Sequence, residues 1–253
     1  MIYFDSAATS FQKPSSVIRA FETTLKTAAS PGRGACRASL RASEVMLDMR
    51  EDAAAFFLFS DPERIVMTMN ATHALNTAIR SLVSPGDRVV ISGFEHNAVV
   101  RPLYSLGVEL RVAGRKLFNS EKMLDEFRRE LPGAKAAVCT HVSNVFGYVL
   151  PIKEIGKLCK ENGVPLIIDA SQSAGVFDFD CRELEAAFIA MPDTNRSSAH
   201  QGAACSCAEL KSRRSCSEVR AATAWTVKCR RIFRTEWRQG RKTRLRLPLF
   251  PLG

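Results

Sequence analysis

Four short polar clusters follow apolar runs in this chain, and each holds side chains suited to gripping a flat, anionic small molecule. Asn70-Ala71-Thr72 opens an amphipathic stretch, and at the start of a helix free amides, a hydroxyl and the helix dipole can together hold a phosphate. Thr72 has an equally simple structural reading as a helix N-cap. In Glu95-His96-Asn97 the imidazole of His96 could stack on a planar ring, although a lone histidine more often serves the fold. His141-Val142-Ser143-Asn144 follows the run Ala136-Ala137-Val138 and offers the amide of Asn144. In Asp169-Ala170-Ser171-Gln172 a carboxylate ends an unbroken apolar run, with an amide three residues on. A buried carboxylate is costly unless a cation or several donors meet it. A protonated pyridine nitrogen would meet Asp169, and capping of the following turn would explain it as well.

These clusters act together only if a scaffold brings the ends of several strands to one edge. The chain alternates apolar runs with amphipathic stretches in the manner of a βαβ protein. Strands are predicted over 64–68, 87–92, 108–112, 134–140, 164–169 and 188–191, with a helix over 71–82 directly after the first. A second helix is predicted from Pro151 to the stop signal Asn162-Gly163, with Ile152, Ile155, Leu158 and Cys159 on one face. The pattern implies an α/β protein with a mostly parallel sheet and flanking helices, whose ligands bind beyond the carboxyl ends of the strands.

Charge divides the chain in two. Residues 193–253 hold 3 Lys and 11 Arg against Asp193, Glu209, Glu218 and Glu236, which accounts for the whole formal charge of +10. The same segment holds both tryptophans and four of the eight cysteines, Cys205, Cys207, Cys216 and Cys229. Residues 1–192 therefore read as one domain and 193–253 as a basic tail without consistent core packing. With His200, the tail cysteines lack the paired C-x2-C spacing of a zinc site, so no metal is expected. Its arginines, with Trp237 among them, could attract a phosphate backbone, but nucleic acid is not the expected partner. No apolar run approaches the roughly 20 residues of a membrane span. Met1-Ile2-Tyr3-Phe4-Asp5 lacks the basic start of a signal peptide, so the expected location is the cytoplasm.

Taken together the clusters are more specific than any one of them. Asp5-Ser6-Ala7-Ala8-Thr9, Pro31-Gly32-Arg33-Gly34, Asn70-Ala71-Thr72-His73-Ala74-Leu75-Asn76, Glu95-His96-Asn97, His141-Val142-Ser143-Asn144-Val145 and Asp169-Ala170-Ser171-Gln172 stand in order and spacing along residues 1–192. In this the chain resembles the pyridoxal-phosphate (PLP) enzymes of the cysteine desulfurase and class V aminotransferase family, and would form an incomplete version of their large domain. The resemblance implies PLP as cofactor, with Ala71 and Thr72 in the phosphate cradle and His96 stacked on the ring. It places Asn144 and Gln172 at the ring's phenolic oxygen and Asp169 at its nitrogen. It also implies an amino acid substrate, L-cysteine or L-selenocysteine, and a homodimer. Family chemistry takes sulfur from cysteine to leave alanine through a persulfide on an enzyme cysteine, which lies in a later domain that this chain does not reach. Desulfurase, selenocysteine lyase and aminotransferase activities are not separated by these motifs. Cys36 and His73 stand where the family has His and Glu.

The resemblance breaks after Met191-Pro192. In the family a lysine ending the tripeptide Gly-His-Lys follows the strand and holds the cofactor covalently. Here Asp193-Thr194-Asn195 follows, with Asn195 at the lysine position. Asp-Thr-Asn is encoded GAY-ACN-AAY, and one G restored in front allows GGA-CAC-AAA, which is Gly-His-Lys. The same frame makes 199–207 compatible with G-P-P-G-G-G-L-L-V and 236–243 with R-M-E-A-G-T-Q-N, two further family motifs at the expected distances. The tail is therefore expected to be the neighbouring frame of the same gene with an early stop, and the chain to be inactive as an enzyme. Other classes of function remain: a basic nucleic-acid-binding protein, or a non-catalytic partner that dimerises with an intact paralogue.

Overall fold

The computed structural model describes residues 2, 11, 13–177, 180–192 and 204–208. Its centre is a seven-stranded sheet in the order β1-β7-β6-β5-β4-β2-β3. The strands are β1 (Ile65–Thr68), β2 (Arg88–Ser92), β3 (Glu109–Ala113), β4 (Ala136–Thr140), β5 (Leu166–Asp169), β6 (Phe188–Pro192) and β7 (Ala204–Ala208). From β3 to β6 every neighbouring pair is parallel, while β7 runs antiparallel to both β6 and β1. All residues of β4 and β5 are buried, as expected of parallel strands covered on both faces. Leu166, Ile167 and Ile168 are fully buried and worth roughly 1.5–3 kcal/mol each in transfer from water.

The helices α1 (Ser15–Thr27), α2 (Arg37–Phe56), α3 (Ala71–Leu82), α4 (Asn97–Leu106), α5 (Ser120–Glu130) and α6 (Ile152–Glu161) flank the sheet. Helical spacing explains their inward faces. In α3 these are Ala74, Leu75, Ala78 and Ile79, and in α6 they are Ile152, Ile155, Gly156 and Cys159. Gly156 lies so close to the Leu184 carbonyl that a Cβ would collide with it. Among the described residues no helix is long and apolar enough to cross a membrane.

The sequence-predicted strands and helices recur with ends moved by one or two residues. The helix expected to begin at Pro151 begins at Ile152, with Pro151 as its N-cap residue. The larger departure is β7. It comes from the segment expected to lack core packing, yet it pairs Ile189 with Cys207 on one side and Met67 with Cys205 on the other. Backbone hydrogen bonding between two flanking strands asks little of the side chains, and this strand's Ala, Cys and Ser residues are small. The rest of 193–253, with Asn195, His200, Cys216, Trp225, Cys229 and Trp237, lies outside the described residues, as does Asp5-Ser6-Ala7-Ala8-Thr9.

Candidate cofactor site

The carboxyl ends of β1, β2, β4 and β5 each hand the chain to a polar loop. Beyond β1, the Asn70 side chain accepts from the His73 amide at 2.8 Å and so caps α3. The cap is thus Asn70 and not Thr72. It leaves the amides of Ala71 and Thr72, in the first turn, with no acceptor among the described residues, the usual condition of a helix start that binds an anion. Beyond β2, His96 Nδ1 accepts from the Ala98 amide at 3.1 Å and caps α4. The structural role of this imidazole therefore exists, and it leaves Nε2 and the ring face to the cleft.

Beyond β4, the turn after Ser143 closes through Ser143 N to Tyr148 O and Gly147 N to Ser143 O, both at 2.9 Å, and sets Asn144 at the surface. Beyond β5, the Asp169 carboxyl is only 3% exposed. Its Oδ1 accepts from the Ser171 amide at 2.9 Å and the Ser171 hydroxyl at 2.5 Å. The turn-capping reading of Asp169 is thus present as well. Burial raises the pKa of this carboxyl, while the Ser171 bonds and the charge of His96 pull it down. Ala71, Thr72, His96, Asn144, Asp169 and Gln172 line one cleft of about 200 Å³, together with Leu75, Ala98, Thr140, Val142 and Ser171.

A family model for class V aminotransferases matches residues 2–194. The chain belongs to the class V aminotransferase family. It is 32% identical over 200 residues to a probable cysteine desulfurase of Pyrococcus abyssi, covering 75% of this chain and 49% of that protein. A probable cysteine desulfurase of Methanothermobacter thermautotrophicus is 34% identical over 206 residues, covering 76% and 48%. The chain thus spans about half the length of the curated relatives it matches. Among solved structures, the apo cysteine desulfurase of Thermococcus onnurineus superposes with a TM-score of 0.76 at 29% identity, covering 83% of this chain and 54% of that one. The C-DES mutant with glycine covalently linked to its PLP cofactor shares the fold at 19% identity, with a TM-score of 0.73 over 82% of this chain and 56% of that one.

Within the class V framework the sequence missed Glu95, Thr140 and Ser171. Glu95 Oε1 accepts from the Ser92 hydroxyl and, at 2.7 Å, from the Thr140 amide, so it ties the end of β2 to the end of β4. Its other oxygen is sealed from solvent with no partner among the described residues. Burial pushes the Glu95 pKa up to about 8 against the pull of its two donors, and the Asp169 charge adds to the rise. His141 is buried as well, and burial lowers its pKa to about 4. The one available signal was position: Glu95 stands three residues beyond the predicted strand end at Ser92, beside the His96 that was singled out. The loop Gly32-Arg33-Gly34 and Cys36 are exposed and do not line the cleft, and neither does His73. Among the described residues no cluster of His, Cys, Asp and Glu could hold a metal ion.

Proposed function

We propose that this chain keeps the PLP site of the cysteine desulfurase branch of its family as a non-covalent binding site, and that it does not turn cysteine over. The observation that carries the reading is the convergence of Ala71, Thr72, His96, Asn144, Asp169 and Gln172 on one cleft around a carboxyl that is 3% exposed. A buried carboxylate whose donors are one amide and one hydroxyl is poorly stabilised, and a protonated ring nitrogen is the partner it lacks. At the other end of the cleft the Ala71 and Thr72 amides, the Thr72 hydroxyl and the positive end of α3 suit a phosphate.

When bound, the cofactor supplies an electron sink for carbanions next to an amino group. The chain's own contributions are binding and orientation. Asp169 would hold a proton on the ring nitrogen, His96 would cover one ring face, and Asn144 and Gln172 would donate to the phenolic oxygen. Asn195 stands at the lysine position, where an amide nitrogen is not a nucleophilic amine and cannot shuttle protons. The family match, which ends at residue 194, and the codon arithmetic at 193–195 support a change of reading frame there. L-cysteine or L-selenocysteine as ligand, a homodimer and a cytoplasmic location follow from the family resemblance.

The test uses the purified full chain. PLP added in increments should quench intrinsic fluorescence saturably and leave on dialysis. Borohydride should fix no cofactor to the chain, and added cysteine should give no alanine or sulfide. Thr72→Ala and Asp169→Ala should each weaken binding by about tenfold or more, the cost of one charge-assisted partner. Binding that ignores both substitutions, or a borohydride-stable adduct with turnover of cysteine, would refute the reading.

A further inference from the structure

Among the described residues the sheet ends on β3, whose strand neighbour is β2 alone. The Glu109 amide donates to Asp87 O at 2.9 Å, and Ala113 O accepts from Gly93 N at 3.1 Å. Residues 109 and 113 therefore turn their backbone groups to β2. By the two-residue period of a strand, Leu110 and Val112 turn theirs to the free edge. That edge is one wall of a groove of about 720 Å³. The other wall is a single face of α5, with Lys122, Glu126, Arg129 and Glu130 at helical spacing. The next amide along the edge, Gly114 N, is already held by Glu126 Oε2 at 2.6 Å, which closes the pairing strip after Val112.

The charges in this groove are not balanced. Arg115 and Lys116, in the loop after β3, and Arg129 are exposed, and none has a carboxylate at ion-pair distance among the described residues. Lys122 reaches Glu126 only at 3.9 Å, and that carboxylate is engaged with the Gly114 amide. Charge on an open edge prevents pairing with further copies of the same chain, because two basic edges repel. The same charge draws in a strand of opposite sign. A phosphate polymer would make no use of the main-chain groups at Leu110 and Val112 and would meet Glu126 and Glu130 in the wall.

We propose that the groove between β3 and α5 docks an acidic, extended segment of a partner protein as an eighth strand beside β3. Its main chain pairs with Leu110 and Val112, and its acidic side chains face Lys122 and Arg129. This stands apart from the cofactor reading, since it uses the sheet edge and not the strand ends.

The probe is a fluorescein-labelled nonapeptide of alternating Glu and Val, added to the full chain. Its controls are a proline-interrupted peptide of equal charge and an oligo-dT of similar length. The basic tail attracts any acidic probe equally in the wild-type chain and in a Lys122→Glu, Arg129→Glu variant, so their difference reads the groove. Binding should weaken about tenfold in the variant and lose that difference at high salt. Amide hydrogen exchange at Leu110 and Val112 should slow with the alternating peptide and not with the interrupted one. The proposal fails if charge reversal leaves affinity unchanged or if the interrupted peptide binds as well. It also fails if oligo-dT slows the same two amides, which would make the groove a nucleic-acid site.

Discussion

Replacing Glu95 by glutamine should change how the stability of this protein depends on pH, by an amount that the surroundings of the carboxyl set. Oε1 has two donors, the Ser92 hydroxyl and the Thr140 amide, and Oε2 has none among the described residues. The side chain as a whole is half-buried, but its charged end is sealed. In the unfolded chain the group ionises near its ordinary 4.5, and in the fold it keeps its proton up to about 8. Between those values the native state binds more protons than the unfolded one. The contribution is therefore most favourable below 4.5, is lost as pH rises through 8, and is flat beyond. The gap corresponds to at most roughly 5 kcal/mol at ~1.4 kcal/mol per tenfold. Water in the adjoining cleft screens part of it and leaves about 2–3 kcal/mol.

Glutamine has the same shape, keeps the acceptor for Ser92 and Thr140, and does not ionise. Its amide nitrogen falls where Oε2 has no partner, which costs about 1–2 kcal/mol at every pH. Glu95→Gln should thus be less stable than wild type by about that amount near pH 5, and equal to it or more stable by about 1 kcal/mol near pH 9. Urea unfolding followed by circular dichroism across this range gives the two curves. Other titrating groups occur in both proteins, so the difference curve isolates Glu95 and the relief it gives Asp169. Two curves that run parallel from pH 5 to 9 would refute the argument, because a carboxyl that folds without a pKa change adds no slope.

Two further outcomes follow from the packing. Gly156→Ala drives a Cβ into the Leu184 backbone carbonyl, which cannot step aside as a side chain could; the melting temperature should fall by the equivalent of about 2–4 kcal/mol. Burial lowers the pKa of His141 from its ordinary 6.5 to about 4, so the stability of its neutral form is present above 6.5 and lost as pH falls through 4. His141→Gln should flatten the acid limb of the stability curve by up to about 3 kcal/mol, measured by the same urea unfolding.

Some of this molecule was legible because short-range rules specify it. The helix predicted over 71–82 is Ala71–Leu82, since Asn70 caps it and the apolar spacing is regular. Asp169 was legible because a carboxylate at the end of Leu-Ile-Ile is a local contradiction that needs a partner. The helices α1, α2, α4 and α5 were not predicted. In α1 the residues Ile18, Phe21 and Leu25 stand at helical spacing, a pattern open to sequence reading, although no residue of the helix is buried among the described residues. Glu95 was missed for a different reason. Its donor Thr140 is 45 residues away, and the two meet because β2 and β4 are adjacent in the sheet with β3 displaced to the edge. No local pattern announces that exchange of neighbours.

On the proposed function, the strand β7 explains why a cofactor pocket would outlast the residue that would use it. Among the described residues β1 has no strand neighbour other than β7, and Asn70, which caps α3, stands two residues beyond β1. The placement of Thr72 relative to Asp169 on β5 therefore runs through β7 and β6, as well as through the packing of α3 on those strands. A strand inserted between two others must present main-chain donors and acceptors at a regular spacing and avoid proline and bulk. Ala-Cys-Ser-Cys-Ala meets that demand. On the proposed change of frame, 204–207 would otherwise have carried one glycine followed by large aliphatic residues, and the segment pairs as a strand all the same. The lysine position would be subject to a stricter demand, because only an amine at one place could attack the cofactor's aldehyde and then carry the proton. On that proposal, a shift of frame would preserve what depends on backbone hydrogen bonding and erase what depends on one functional group. On the proposed function, binding of the cofactor without its covalent capture is the outcome expected from this difference in demand.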